Sequence, residues 1–342
     1  MNHPYVSKDS ASLPANDTHA VCNTLLYFVT FVALCCFTLR AYRPSARELY
    51  VGSLGALDMS FENFTELETE ISRIISAADE VKIPLRAFGG AAIRLHCAQH
   101  SQLYATLRRP SHHDMDFVTY DKFGARARKL FTDLGYDPHV SMALSAATGT
   151  GRRRQIFWDR SGNKAVDVCL GAMKMSHVID FSDRLELDYP TVPLAELLLQ
   201  KLQVVDMSEK DLQDMVILLC VHVVGQSDDD EINAEHVAKV LARSWGFHHT
   251  ATTNLRRTAE YATNHPVLST TFKESVVARV HQLMEVIDME PKTAQWKLRA
   301  QVGTAVRWYN PVEEVQRQRE DSCNLEGPLL TQQPMIMMGD LP

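Results

Sequence analysis

The sequence predicts an α+β fold, in which a small mixed sheet packed with helices is followed by a helical C-terminal domain. Three observations lead to this prediction. Apolar residues recur at helical spacing across 61–80, beginning with Phe64 and Leu67. Short apolar runs bounded by glycine, proline or polar turn residues then alternate with helical patterns as far as residue 170. From Pro193 onward the periodicity is almost entirely helical.

The elements of the sheet region follow one another closely. Pro84 ends the first helix and Gly135 ends a later one. The pattern predicts a strand over 85–90, a helix over 91–100, a strand over 117–120, a helix over 123–134 and a hairpin over 154–170. In the second strand of that hairpin, Val166 and Val168 share one face and Asp167 shares the other with Cys169.

The helical region divides into several segments. We predict helices over 193–205, 208–224, 233–243, 251–262, 270–288 and 291–302. The acidic stretch 227–231 is expected to be a solvated connection. The sheet-containing domain would then cover 59–192 and the helical domain 193–314, while 315–342 lacks a persistent period and is expected to be disordered.

Composition restricts the class of protein. The chain has 342 residues and a formal net charge of −7, so nucleic acid or anionic lipid could be bound only through a local basic patch. Its seven cysteines form no C-x-x-C pair and no disulfide framework, which indicates reduced thiols in a cytosolic protein. The sequence contains no G-x-S-x-G motif, no Walker loop and no dinucleotide fingerprint.

The first 47 residues differ from the rest of the chain. Residues 21–39 carry no charge and would reach roughly 30 Å as a helix, enough to cross a bilayer. The arginines that follow, from Arg40 to Arg47, would keep the C-terminal side cytoplasmic. The alternatives are an unstructured leader or a start codon assigned too early, because Met59 opens a natural beginning for a soluble domain. We expect a cytoplasmic body, anchored to a membrane only if 21–39 is a genuine anchor.

Three features occur in an order that indicates a metal and phosphate site. Gly89 and Gly90 lie at a strand-to-helix turn, where backbone N–H groups can approach a phosphate. Asp114 and Asp116 have the spacing that projects two side chains from one face of a strand. Asp167 lies within a later apolar strand, where an unpaired carboxylate would be costly. Together the three acids predict an oxygen site for Mg²⁺ or Mn²⁺.

Each feature also has an ordinary structural interpretation. A Gly-Gly pair is usually only a turn, and a D-x-D sequence is usually solvated loop charge. His96 and His100 have i,i+4 spacing, but the sequence offers no third zinc ligand beside them, so helix-surface histidines are the expected interpretation. It is the combination of glycines and acids, on compatible elements, that favours a site.

The stretches that carry these features resemble the nucleotidyltransferase superfamily related to DNA polymerase β. They read "FGGAAIRLH", "HHDMDFV", "KAVDVCL" and "YPTVPLAELLLQKLQVVDMSEKDLQDMVILL". Within that superfamily the chain is similar to the AbiEii-type toxins of abortive-infection systems. The resemblance covers roughly 60–225 and implies a nucleotidyltransferase-type sheet and a catalytic domain over 59–192. One departure is that Ala91 follows a Gly-Gly pair where the superfamily motif usually reads Gly-Ser.

The resemblance also implies roles for individual residues. Gly89 and Gly90 would contact the triphosphate, Asp114 and Asp116 would hold the metal, and Asp167 would bind metal and act as base toward the attacking hydroxyl. The resemblance also places Lys201, Lys210, Asp211 and Asp214 near the nucleotide or the acceptor. Arg94 is a further candidate for nucleotide binding because it is a basic residue between the glycines and the acidic pair in the sequence. Two of these candidates have a competing explanation: Ser208-x-x-Asp211 is also a capping-box pattern, and Lys201 on an apolar helix suits an ion pair.

We therefore expect transfer of a nucleoside monophosphate from a nucleoside triphosphate to an acceptor hydroxyl. RNA, especially tRNA, and a separately encoded antitoxin protein are the acceptor and partner that the resemblance implies. Arginines at 108–109 and 152–154 could steer either a triphosphate or RNA. Two alternatives stay open: a nucleotidyltransferase that modifies small molecules such as antibiotics, and an inactive module that binds nucleotide or RNA.

Overall fold

A mixed sheet of five strands lies at the centre of the computed structural model. The structure describes residues 59–110, 114–138, 154–159 and 164–312, with the backbone alone for 59–63. The strands are β1 (Arg86–Phe88), β2 (Met115–Thr119), β3 (Tyr136–Pro138), β4 (Arg154–Asp159), β5 (Ala165–Leu170), β6 (Ala172–Lys174), β7 (Val178–Asp180), β8 (Val224–Gly225) and β9 (Ile232–Asn233).

Ten α-helices belong to the same described residues. They are α1 (Met59–Glu80), α2 (Gly89–His96), α3 (Ser101–Thr106), α4 (Gly124–Asp133), α5 (Leu194–Leu202), α6 (Glu209–Val221), α7 (Ala234–Leu241), α8 (Trp245–Asn264), α9 (Thr270–Met289) and α10 (Ala294–Val302). The α+β class and the mixed character of the sheet are thus confirmed.

The order of strands in the main sheet is β1-β2-β5-β4-β3. Strands β2 and β5 run parallel, whereas β1 with β2, β5 with β4, and β4 with β3 run antiparallel. The predicted hairpin over 154–170 is confirmed, because Ile156 in β4 is the register partner of Asp167 in β5. The parallel pair brings together two strands that are distant in sequence.

Most helices begin and end within three residues of their predicted bounds. Two predictions were wrong: α8 begins at Trp245 and not at 251, and the helix predicted over 91–100 ends at His96 and is followed by the separate helix α3. Gly135 follows α4 with a φ of +93°, a conformation that glycine adopts without strain. Strand β2 begins at Met115 rather than Phe117, so Asp116 lies inside the strand instead of before it. Helix α6 opens with a complete capping box between Ser208 and Asp211.

One continuous hydrophobic core joins the sheet to the helices that follow it. Helix α5 contributes five leucines, each at most 1 % exposed. They lie in the same cluster as Phe117 and Phe157 of the sheet and Leu255 and Val280 of α8 and α9. All the described residues belong to one compact unit, Asp58–Pro342.

Several segments with sequence-based predictions lie outside the described residues. These are the leader with its candidate membrane segment 21–39, the arginines at 152–153, the hairpin turn at 160–163 and the tail 315–342. Among the residues that are described, no helix combines the length and hydropathy that crossing a membrane requires.

Candidate metal and nucleotide site

Two aspartates lie side by side on the parallel strands β2 and β5. Asp116 is the register partner of Asp167, and neighbouring strands are only about 4.8 Å apart. The residues that flank the two acids also pair in register and are fully buried, which turns both carboxylates to the opposite face of the sheet. These flanking residues are Met115, Phe117, Val166 and Val168.

Asp114 adds a third negative charge. It immediately precedes β2 and is exposed, two residues before Asp116. Its charge raises the pKa of both Asp116 and Asp167. The three predicted acids are therefore close enough that the charge of Asp114 acts on both Asp116 and Asp167.

Burial and mutual repulsion make the two strand acids reluctant to ionise. Burial first, then the charges of Asp167 and Asp114, raises the pKa of Asp116 to about 7. Burial likewise raises the pKa of Asp167, although the ion pair with Arg154 opposes that shift. Asp116 still retains a partly exposed edge toward solvent. A positive charge placed between the two carboxylates would favour the ionised form of both.

Arg154 in β4 forms an ion pair with Asp167 through Nε and Nη2, both directed at Oδ2. The other oxygen, Oδ1 of Asp167, is buried and has no hydrogen-bond partner among the described residues. A buried carboxylate oxygen without a partner is uncommon and calls for an explanation. Arg154 thus occupies Oδ2 of Asp167, and Oδ1 remains available to bind a cation.

The donor set fits a hard divalent cation. All three acids offer oxygen, the ligand atom that Mg²⁺ and Mn²⁺ prefer. The unpartnered Oδ1 of Asp167 and the raised pKa values of Asp116 and Asp167 are the features that a bound cation would relieve. Asp114, Asp116 and Asp167 are therefore the residues that could hold such an ion.

Gly89 is pressed against the carboxylate of Asp116. Its φ is +83°, and a Cβ at this position would lie 2.1 Å from Oδ2 of Asp116, far inside contact distance. The N–H of Gly89 donates to Oε1 of Gln200 at 2.8 Å, so in this structure that amide is directed at α5 and not toward a phosphate. Gly90 is the next residue of α2 and is partly buried.

The lysine and aspartates predicted near the nucleotide form a buried ion network. Nζ of Lys201 lies 2.9 Å from Oδ1 of Asp211 and 2.9 Å from Oδ2 of Asp214. Asp214 is fully buried and also accepts two hydrogen bonds from Arg109, at 2.7 and 3.0 Å. The positive charge of Lys201 opposes the rise in the pKa of Asp116 that burial causes. The network is therefore close enough to act electrostatically on Asp116.

The remaining two candidates lie in different environments. Lys210 is exposed at the start of α6. Arg94 on α2 is buried, with its guanidinium carbon 3.9 Å from the ring centre of Tyr104 and 4.7 Å from that of Phe64. Such stacking on aromatic faces is a structural use of arginine. The roles of both residues toward a nucleotide stay predictions.

Three residues have contacts in this site that the sequence does not predict. Gln200 carries no motif signal, because its contact with Gly89 depends on how α5 packs against α2. In the sequence Arg109 is one of several arginines with the character of a steering charge, and only the fold shows that it pairs with Asp214. Arg154 was part of an arginine run, and the hairpin register is the signal that places it next to Asp167.

A cleft of about 800 Å³ lies on the helical side of the molecule. It is lined by α3, α6 and α8, with Arg108, Arg257 and Tyr261 among its side chains. None of the three site acids lines it. The cleft is therefore distinct from the carboxylate site.

No protein-family model matches the chain, and the curated proteins give no significant match. The candidate function is therefore inferred from the geometry of the site and from the motifs in the sequence.

Proposed function

We propose that this protein is a divalent-metal-dependent nucleotidyltransferase. The observation that carries the proposal is the in-register pair Asp116–Asp167 on adjacent parallel strands, with Asp114 beside it and Oδ1 of Asp167 buried without a partner. Two acids at this separation, both with raised pKa values, suit a bound cation better than a purely structural role.

Asp114, Asp116 and Asp167 would hold Mg²⁺ or Mn²⁺, which when bound would neutralise the charge of a triphosphate and its leaving group. The ion pair with Arg154 orients Asp167 and favours the ionised form of its carboxylate. Lys201, held by Asp211 and Asp214, adds positive potential on the side of Asp116. Gly89 leaves room for the Asp116 carboxylate that any larger residue would displace.

In the proposed reaction, the acceptor oxygen forms a bond to the α-phosphorus of the nucleoside triphosphate. The bond from that phosphorus to the bridging oxygen breaks, and pyrophosphate leaves with the electron pair. The proton of the acceptor hydroxyl passes to Asp167, the residue to which the superfamily resemblance gives the role of base.

We further propose RNA, especially tRNA, as the acceptor, and a separately encoded antitoxin as a protein partner, in a cytoplasmic setting. The AbiEii-type motifs quoted from the sequence support this choice over a small-molecule acceptor. Arg108 at the exposed end of α3 and Lys210 at the start of α6 supply positive charge for a polyanion.

A second candidate function is binding of a nucleotide or an RNA end without catalysis. Two contacts favour it: the ion pair of Arg154 with Asp167, and the hydrogen bond from the Gly89 N–H to Gln200. Both occupy groups that a catalytic site would use. In an enzyme, substrate binding would have to open these two contacts. In a binding module, both contacts would stay closed.

The test is transfer of label from α-³²P nucleoside triphosphates by the full chain. Each triphosphate is incubated with Mg²⁺ or Mn²⁺ and total RNA, with Asp116→Asn and Asp167→Asn as site variants. Asp133→Asn is the matched control, because Asp133 is an exposed acid paired with Lys129 outside the site. We expect labelled RNA from the native chain and the control, and at least a hundredfold less from the site variants.

The other outcomes distinguish the alternatives. Label on an added aminoglycoside-type hydroxyl compound instead of RNA would support the small-molecule enzyme. Triphosphate binding by equilibrium dialysis without transfer would support the binding module. Equal transfer by Asp116→Asn and the native chain would overturn the assignment of the site.

A further inference from the structure

A second group of metal-ligand side chains lies apart from the strand acids, at the opposite end of α2. His96 is the last residue of α2, His222 follows α6, and Asp230 lies in the connection before β9. One nitrogen from each imidazole and one carboxylate oxygen all lie within 4.8 Å of one another. The three residues come from separate parts of the sequence, so no local sequence motif predicts this group.

One contact inside this group has a separation close to that of two ligands of one ion. Nδ1 of His222 lies 3.5 Å from Oδ1 of Asp230, which is longer than a normal N–H···O hydrogen bond. Two ligands of a tetrahedral ion with bonds of about 2.0–2.1 Å are separated by roughly 3.3 Å. The two imidazole rings meet edge to face, with centroids 5.6 Å apart.

The imidazole of His222 is enclosed and incompletely satisfied. Its side chain is 7 % exposed, and its Nε2 has no hydrogen-bond partner among the described residues. A buried neutral imidazole with spare nitrogen capacity is the form in which histidine binds metal ions.

His96 is oriented by a hydrogen-bonded chain behind it. Its Nε2 lies 2.6 Å from Oγ1 of Thr191 and 3.4 Å from Oδ2 of Asp188. The Thr191 hydroxyl donates to Asp188, so its oxygen is free to accept from an Nε2–H of His96. That tautomer puts the lone pair on Nδ1, and a carboxylate or hydroxyl behind the second nitrogen is how metal-binding histidines are usually held.

We propose that His96, His222 and Asp230 bind one divalent transition-metal ion of the zinc class, with the remaining coordination position open to solvent. Two nitrogens and one oxygen favour zinc over magnesium. Asp230 is 83 % exposed and supplies the open side. An ion here would tie α2 to α6 and to the acidic connection, and thereby fix the helix that carries Gly89 at its other end.

The experiment is titration of the chelator-treated full chain with Zn²⁺ in excess Mg²⁺, followed by competition with a chromogenic chelator. Asp230→Asn is the principal variant, because Asp230 is exposed and has a φ of +60° that asparagine tolerates. His222→Gln tests the buried ligand. His248→Gln is the matched control: His248 is another partly buried imidazole with an unpartnered nitrogen, outside the group.

We expect one equivalent of Zn²⁺ bound by the native chain and by His248→Gln. The Zn²⁺ affinity should fall about a hundredfold in Asp230→Asn and in His222→Gln. In Thr191→Val it should fall about 10–100-fold, because the His96 ring loses the hydroxyl that orients it. Substitution of Co²⁺ should give the intense visible bands of a tetrahedral site, lost in Asp230→Asn. Equal Zn²⁺ affinity in Asp230→Asn and the native chain, or no binding at all, would overturn the proposal.

The proposal does not depend on the proposed nucleotidyl transfer. Asp116→Asn should abolish transfer and leave Zn²⁺ affinity unchanged. Asp230→Asn should lose Zn²⁺ without changing the residues that would bind the triphosphate. If one of the two proposals is contradicted, the other is unaffected.

Discussion

The absence of one methyl group at residue 89 allows the Asp116 carboxylate to lie where it does. Gly89 adopts a φ of +83°, and the space where its Cβ would be is filled by Oδ2 of Asp116. An L-residue in a left-handed conformation costs about 1–2 kcal/mol. The nearest obstacle is the end of a side chain that can rotate, so the larger effect of a substitution would fall on the position of the carboxylate.

Gly89→Ala should therefore reduce divalent-ion affinity as well as stability. Gly135→Ala is the control, since Gly135 also has a positive φ but nothing lies within 4 Å of its Cβ position. Both variants should lose about 1–2 kcal/mol of unfolding free energy in chelator. Only Gly89→Ala should lose the extra stabilisation that Mn²⁺ gives the native chain in denaturant titrations. Similar Mn²⁺ stabilisation of the two variants would contradict this account of the glycine.

The titration of Asp116 gives a pH dependence of stability. Its pKa rises from 3.8 to about 7 in the folded chain, so the folded state binds more protons than the unfolded state between these values. Stability of the metal-free protein should accordingly fall as the pH rises from about 4 to about 7. The fall should be smaller in Asp116→Asn. Urea unfolding in chelator across this pH range measures it, and an identical slope in both proteins would show that Asp116 ionises normally.

At the scale of elements, Lys201 joins two helices through buried charges. It lies near the end of α5 and contacts Asp211 and Asp214 of α6, while Arg109 reaches Asp214 from beyond α3. Removing one member of such a network leaves the others buried without full compensation. The sequence patterns anticipated both competing explanations, the capping box at Asp211 and an ion pair for Lys201, and both are present.

Lys201→Ala should lower the unfolding free energy by about 3–5 kcal/mol. Lys129→Ala is the control, since Lys129 and Asp133 form an exposed pair that should be worth at most about 1 kcal/mol. Denaturant unfolding of the two variants gives the comparison. A loss below about 1 kcal/mol in Lys201→Ala, accompanied by lost triphosphate binding, would assign the lysine to the ligand and not to the fold.

The elements themselves were largely predictable because they depend on local periodicity. Hairpin β4–β5 followed from two apolar runs around a turn, and the face of Asp167 followed from strand alternation. The pairing of β2 with β5 was not visible locally, because it joins strands about 50 residues apart. The acidic connection at 227–231 illustrates the same limit: Asp228 pairs with Arg184 and Asp230 approaches His222, so part of it is not simply solvated.

At the scale of the whole molecule, the sheet and the later helices share their core. The strand-like segment before α5 hydrogen-bonds to β1, since the N–H of Ala87 donates to the carbonyl of Pro190 and the N–H of Val192 donates to the carbonyl of Ala87. Helix α5 then enters the core at once, with Leu197 and Leu198 fully buried. The site acids on the sheet and the ion network on α5 and α6 are thus held by one packed interior.

This shared interior predicts that the sheet and the helices unfold in a single transition. Two single-tryptophan variants test it: one retains Trp158 in β4, the other retains Trp245 in α8. Their fluorescence should report the same urea midpoint, and Leu198→Ala should lower both midpoints together, with a loss of about 2–5 kcal/mol. A Trp158 transition separated from that of Trp245 would mean that the two parts are stable independently. In that case the position of Lys201 relative to Asp116 would not be fixed by the core, and its charge could not be counted as a constant part of the site.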